Sequence, residues 1–182
     1  MRLETTRLPG VVVVTSPVFE DDRGFFVEVH HAEKLAALGL PTTFAQDNHS
    51  RSYAHVIRGM HFQLEQPQGK LVRPVTGVIF DVAVDLRRTS DSFGEWVGVT
   101  LTAGDGRQLW VPPGFAHGFL VLSDVADVSY KCTTIYHAAS DRSVAWNDPA
   151  LAIEWPLPAG ASARLSEKDA RAPELAAVQV FS

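Results

Sequence analysis

The chain has 182 residues, of which 46% are hydrophobic and 20% charged, enough for one packed core and short for two. A formal net charge of -5 argues against broad nucleic-acid binding, which needs a concentrated basic surface to neutralise phosphates. The single cysteine, Cys132, excludes an internal disulfide or a multi-thiolate metal site within one chain, and no apolar run approaches the roughly 20 residues of a membrane span.

From the N-terminus, Met1–Arg7 carries mixed charge with no apolar segment after it, so neither a secretory nor a transit signal is expected and the cytoplasm is the default. Short β-rich runs between Gly, Pro and Asp turns follow. Strands are predicted over Val11–Thr15, Gly24–His30, Phe44–Ser50, Val56–Gln63, Lys70–Val75, Val78–Leu86, Trp96–Leu101, Gln108–Val111, His117–Leu122 and Val125–Thr133. A helix is predicted over Ala32–Leu38, stopped by Gly39 with Pro41 beyond, and Ser166-Glu167-Lys168-Asp169 reads as a helix start with a capping box. Many short strands with peripheral helices predict an all-β fold, a closed or two-sheet barrel forming one domain over residues 1–182.

Strand parity assigns faces. In Val78–Leu86, Phe80, Val82, Val84 and Leu86 alternate with Asp81, Ala83 and Asp85, the pattern of a half-buried strand. His61 falls on one face with Ile57 and Gln63, and His117 on one with Phe115, Phe119 and Val121, so both histidines can point into the barrel. Arg58 falls on the opposite face from His61 in a regular strand, and joining them in one pocket requires an irregularity, for which Gly59 is the obvious place. Tyr130, with Val128 and Cys132, projects inward, and Lys70 follows the turn Glu65–Gly69 at the barrel mouth.

Two histidines delivered by glycine-containing strands resemble an incomplete metal site. A catalytic zinc or iron takes three or more protein ligands, and Gln63 stands where a His-x-His pair would need its second histidine. No metal or cofactor is therefore expected, and the pocket points to organic acid–base chemistry. For any one of these residues the ordinary alternative is structural: a hydrogen-bonded core histidine, a packed tyrosine, a solvated lysine. Asp169 is equally explained as a capping residue. Arg23, Glu28, Gln46, Asn48 and Arg58 form a polar set suited to phosphate, sugar hydroxyls and base edges.

In order along the chain stand Asp22-Arg23-Gly24-Phe25-Phe26-Val27-Glu28, Gln46-Asp47-Asn48-His49-Ser50, Arg58-Gly59-Met60-His61-Phe62-Gln63 and Gly69-Lys70-Leu71-Val72-Arg73. They are followed by Phe80–Arg87, Trp110–Phe119, Tyr130-Lys131-Cys132, Trp146-Asn147-Asp148-Pro149 and Leu165–Asp169. Over about Leu3 to Leu175 this series resembles the dTDP-4-dehydrorhamnose 3,5-epimerase family of cupin-like proteins. The resemblance implies a jelly-roll homodimer without a catalytic metal, acting on a dTDP-linked 4-keto-6-deoxyhexose.

It further implies a general base at His61 oriented by Asp169, an acid at Tyr130 on the other face of the sugar, and Lys70 near the keto oxygen. Arg23, Phe26, Glu28, Gln46, Asn48, Arg58, His117, Asp141 and Lys168 match ligand-binding positions. Arg23 is implied to act across the dimer interface, and Tyr136 matches the aromatic that stacks on thymine. Three positions depart from the common pattern: Asp141 stands where a glutamate is frequent, Ser90-Asp91-Ser92 replaces Ser-Pro-Thr, and His137 follows Tyr136. Relatives of this kind invert C3, C5 or both. A 3,4-ketoisomerase and a non-catalytic nucleotide-sugar-binding cupin are the alternatives.

Overall fold

Val, Phe and Leu in short alternating runs pair into ladders because β-branched and aromatic side chains pack well on a pleated surface. In the computed structural model, which describes all of residues 1–182, they form thirteen strands. These are β1 (Arg2–Thr5), β2 (Val12–Thr15), β3 (Val18–Asp21), β4 (Gly24–Val27), β5 (Gln46–Tyr53), β6 (Ile57–Gln63) and β7 (Lys70–Thr76). After them come β8 (Val78–Asp85), β9 (Trp96–Thr102), β10 (Arg107–Val111), β11 (Phe115–Val121), β12 (Val125–Cys132) and β13 (Asp141–Ser143). Two short helices, α1 (Ala32–Ala37) and α2 (Glu167–Ala170), lie outside them.

A six-stranded sheet runs β1-β2-β10-β7-β12-β5 and a five-stranded sheet runs β13-β6-β11-β8-β9. All their pairings are antiparallel. This is the expected all-β, two-sheet architecture. Between the sheets lies an apolar core including Val72, Ile79, Ala83, Leu109, Phe115, Phe119, Val121 and Val128. α1 covers the outside of the six-stranded sheet, packing Leu35 against Val12, Val14, Leu71 and Trp110, and it ends before Gly39, whose φ is +73°. The C-terminal segment covers the other sheet, with Leu151, Ile153, Val178 and Val180 against Met60, Phe62, Val82 and Val84.

That cover corrects the reading of β8. The strand is not half-buried: Val82 and Val84 face the C-terminal segment, while Asp81 and Ala83 face the interior, all of them fully buried. Asp85 is held by Arg87, Ser90 and Ser92. Burial pushes its carboxyl up, but these hydrogen bonds prevail and bring it to about 2. Ser92, within the Ser90-Asp91-Ser92 departure, thus has a structural task.

Strand ends shift elsewhere. The run predicted over Gly24–His30 stops at Val27, and that over Phe44–Ser50 begins at Gln46 and continues to Tyr53. β3 and β4 pair only with each other, in a hairpin that exposes Phe19, Phe25 and Phe26.

The irregularity at Gly59 is present. His117 of β11 pairs with His61, whereas Phe119, two residues on, pairs with Arg58, three residues back. One extra residue in β6 therefore brings Arg58 and His61 to the same face as His117 and Phe119. It also corrects the parity: Ile57 pairs with Leu120 and lies on the opposite face from His61. Gly59 takes φ +139°, and a Cβ there would stand 2.5 Å from Gly118 Cα, so the bulge needs glycine on both strands.

Candidate active site

Where the apolar core ends, the inner faces of both sheets carry polar side chains. They line two adjoining cavities, of about 360 Å³ and about 190 Å³. The larger is bordered by Gln46, Asn48, Tyr136, Asp141 and Lys168, the smaller by Ser50, Arg58, His117 and Phe119. His61, Lys70 and Tyr130 border both and stand at the junction. His61 comes from the five-stranded sheet, whereas Tyr130 and Lys70 come from neighbouring strands of the six-stranded sheet. A ligand at the junction therefore has His61 on one side and Tyr130 with Lys70 on the other.

His61 Nε2 lies 2.6 Å from Asp169 Oδ1. A carboxylate only accepts, so Nε2 carries the hydrogen and Nδ1 is left with the basic lone pair. The local fold explains how Asp169 comes to be there. Ser166 caps α2, its Oγ accepting the Asp169 backbone N–H at 3.1 Å. In a full capping box the acidic third residue returns its carboxylate to the cap; here that carboxylate goes to His61. Burial pushes the Asp169 carboxyl up, but the hydrogen bond and charge of His61, with Lys168 nearby, hold it below its ordinary value.

Lys70 is only 9% exposed. Burial lowers the pKa of its ammonium, and the Cys132, Asp81 and Asp141 side chains offset this only in part. Burial raises the Tyr130 phenol, keeping it protonated at neutral pH. A second imidazole–carboxylate pair lies deeper: His117 Nε2 is 2.7 Å from Asp81 Oδ1. Burial lowers the His117 pKa in spite of Asp81.

At the mouth of the larger cavity, Asp141 Oδ2 accepts from Lys168 Nζ at 2.5 Å and from the Tyr136 hydroxyl at 3.1 Å. The bond to Asp141 raises the Tyr136 phenol. The aspartate at this position, one methylene shorter than glutamate, thus reaches two neighbours. Gln46 donates to Asn48 Oδ1 at 2.9 Å and accepts from the Tyr136 backbone N–H at 2.7 Å. Arg58 is anchored on Ser52 Oγ at 2.8 Å and on the Arg51 carbonyl.

Three sequence-predicted residues are not brought to these cavities. Arg23 and Phe26 lie on the β3–β4 hairpin, where Arg23 pairs with Asp21 at 2.5 Å and Phe26 is 66% exposed. Glu28 pairs with Lys34 at 2.7 Å. Conversely, sequence reasoning missed Asp81, Gln68 and the contacts of Gln63. Asp81 was visible as one member of an alternating strand, but its face was not. No group of three His, Cys, Asp or Glu side chains suited to a metal ion is present.

Comparisons with known proteins show the family to which the chain belongs. The family model described as dTDP-4-dehydrorhamnose 3,5-epimerase matches residues 5–177. The dTDP-4-dehydrorhamnose 3,5-epimerase of Escherichia coli is 51% identical over 173 residues, covering 94% of this chain and 92% of its own. The dTDP-6-deoxy-D-glucose-3,5-epimerase of Legionella pneumophila, crystallised with dTDP-4-keto-L-rhamnose, superposes with a TM-score of 0.93 at 46% identity, covering 98% of this chain and 94% of its own. A 3'-monoepimerase of Streptomyces bikiniensis in complex with dTDP-quinovose gives 0.87 at 32% identity, covering 94% and 86%. With the family model spanning nearly the whole sequence and relatives near half identity, this chain belongs to the dTDP-4-dehydrorhamnose 3,5-epimerase family.

Proposed function

We propose that this chain epimerises dTDP-4-keto-6-deoxyglucose at C3, C5 or both through an enolate, without a cofactor. The observation that carries this reading is the placement of His61 on one sheet, backed by Asp169 of α2, opposite Tyr130 and Lys70 on the other. A C4 ketone acidifies the hydrogens on its two neighbouring carbons. Nδ1 of His61 removes one of them, Asp169 stabilises the imidazolium that forms, and the Lys70 ammonium stabilises the developing oxyanion. Tyr130 then returns a proton to the opposite face, which inverts the carbon.

In this reading the larger cavity takes the nucleotide. Tyr136 packs on the base, and Gln46, Asn48, Asp141 and Lys168 contact the nucleotide, while Arg58 and His117 face the sugar in the smaller cavity. The whole chain acts as one domain in the cytoplasm. Incubation with this substrate in deuterated water is expected to place deuterium at each inverted carbon, so NMR reports reaction class and regiochemistry together. Migration of the carbonyl to C3 would instead mark a ketoisomerase, and no exchange at either carbon would overturn an enolate mechanism.

The same reading includes a homodimer. The hairpin's exposed phenylalanines and the distance of Arg23, Phe26 and Glu28 from the cavities fit a second copy that covers the hairpin and receives these residues at its own site. Sedimentation equilibrium is expected to give a mass about twice 19.9 kDa. Phe26→Asp should weaken association and activity together; a fully active monomer would count against this.

A further inference from the structure

Gln63 stands where a His-x-His metal site would need its second histidine, yet its surroundings give it a definite task. It is 3% exposed, and every polar function of its amide is satisfied by backbone. Nε2 donates to the Gln66 carbonyl at 2.9 Å and to the Ile135 carbonyl at 3.3 Å, and Oε1 accepts from the His137 N–H at 2.9 Å. Its two partners in the 135–137 segment are thus the residues on either side of Tyr136. The Tyr136 N–H itself is taken by Gln46, and two residues before Tyr136 the Thr134 carbonyl accepts from Gln68 Nε2 at 2.8 Å.

Apolar packing does not hold this segment in place, since Ile135 is 58% and Tyr136 55% exposed; at its ends Thr134 Oγ1 donates to the Gln66 carbonyl at 3.0 Å and His137 Nδ1 lies 2.9 Å from Ser140 Oγ. An exposed aromatic on a connecting segment has a fixed direction only if its backbone is pinned. Here three glutamines, from β5, β6 and the turn before β7, pin consecutive peptide groups. Gln63 is the buried member, and it lies two residues from His61 on the same strand. Beyond the ring, the Tyr136 hydroxyl reaches Asp141, which holds Lys168, the neighbour of Asp169. The contacts form a closed circuit joining the Tyr136 arm to the His61 dyad.

We propose that Gln63 is a positioning residue for nucleotide recognition, fixing the 134–137 arm so that the Tyr136 ring is presented to the nucleobase. The proposal rests on the reading that Tyr136 packs on the base. The test is calorimetric titration with dTDP of wild type, Gln63→Leu, Tyr136→Ala and the double variant, alongside steady-state kinetics and amide exchange over residues 133–137. Gln63→Leu is expected to weaken dTDP binding roughly tenfold, raise KM in step, leave kcat unchanged and speed exchange in the arm. The double variant should bind no more weakly than Tyr136→Ala, since residues acting through one contact are not additive.

Gln63→Glu keeps the acceptor for His137 and should fall between wild type and Gln63→Leu; it carries the comparison if the leucine variant fails to fold. Unchanged dTDP affinity despite a loosened arm, additive losses in the double variant, or a fall in kcat at constant KM would each overturn the proposal. Wild-type dTDP affinity in Tyr136→Ala would instead overturn the nucleobase reading, and the proposal with it, so the two failures are distinguishable.

Discussion

Replacing His61 by alanine is expected to lower kcat by about 10²–10⁴-fold, the usual contribution of a positioned general base, and to abolish deuterium exchange. dTDP affinity should stay near the wild-type value. The substitution removes the only imidazole that combines a free Nδ1 at the junction of the two cavities with a carboxylate partner. The other candidate, His117, is also backed by a carboxylate, but it borders only the smaller cavity. Retention of exchange in His61→Ala, with loss in His117→Ala, would reverse this assignment. Because His61 lies partly exposed at the cavity wall while its neighbours Met60 and Phe62 carry the packing, the fold should tolerate the change. Near-native melting temperature is the control.

Lys70→Met is expected to have opposite effects on activity and stability. In the proposed mechanism, loss of the ammonium removes the cation that stabilises the developing oxyanion and should lower kcat by on the order of 10²–10³-fold, comparable to removing one oxyanion donor elsewhere. Stability should rise, by about 1–2 kcal/mol at neutral pH, since an apolar side chain of similar length replaces a buried charge. The sign follows from proton linkage. The unfolded chain holds the lysine proton up to its ordinary pKa of 10.5, whereas burial releases it earlier in the folded state. Wild-type stability therefore rises with pH between those two values, and below the lowered one the buried ammonium is a constant penalty. The advantage of Lys70→Met should shrink as pH climbs toward 10.5, which melting curves across that range will check. A variant that melts lower and turns over normally would refute both halves.

Most of the barrel was legible because apolar alternation and turn residues mark strands wherever one sheet face meets a core. β1, β3 and β13 escaped for a physical reason. Arg2-Leu3-Glu4-Thr5, Val18-Phe19-Glu20-Asp21 and Asp141-Arg142-Ser143 bury little apolar surface, and their strand character comes from pairing with a neighbour. Motif resemblance named most of the residues that line the two cavities one at a time, together with Arg23, Phe26 and Glu28, which do not line them, and the geometry was not legible. Nothing local to Asp81 distinguishes an interior carboxylate from a solvated one, because the C-terminal cover that turns β8 inward lies far along the chain. Gln63 looked informative only for what it was not, since its partners are carbonyls and N–H groups, which carry no sequence signature. The bulge is the intermediate case. Gly59 advertised it, but only the pairing of Phe119 with Arg58 fixed which residues changed face.

That bulge ties the cavity wall to the backbone conformation of one residue, Gly59. Were β6 to run through Arg58–His61 as a regular strand of the same length, strict alternation would return, and because side-chain period is two, either Arg58 or His61 would exchange the cavity for the opposite face. There it would meet Met60's environment of Val82, Val144 and Ile153, an apolar layer with no place for an unpaired charge. What holds Arg58 and His61 on one face at a spacing of three is therefore the backbone conformation at Gly59, so a substitution there that straightens the strand would rearrange the cavity wall without touching either side chain.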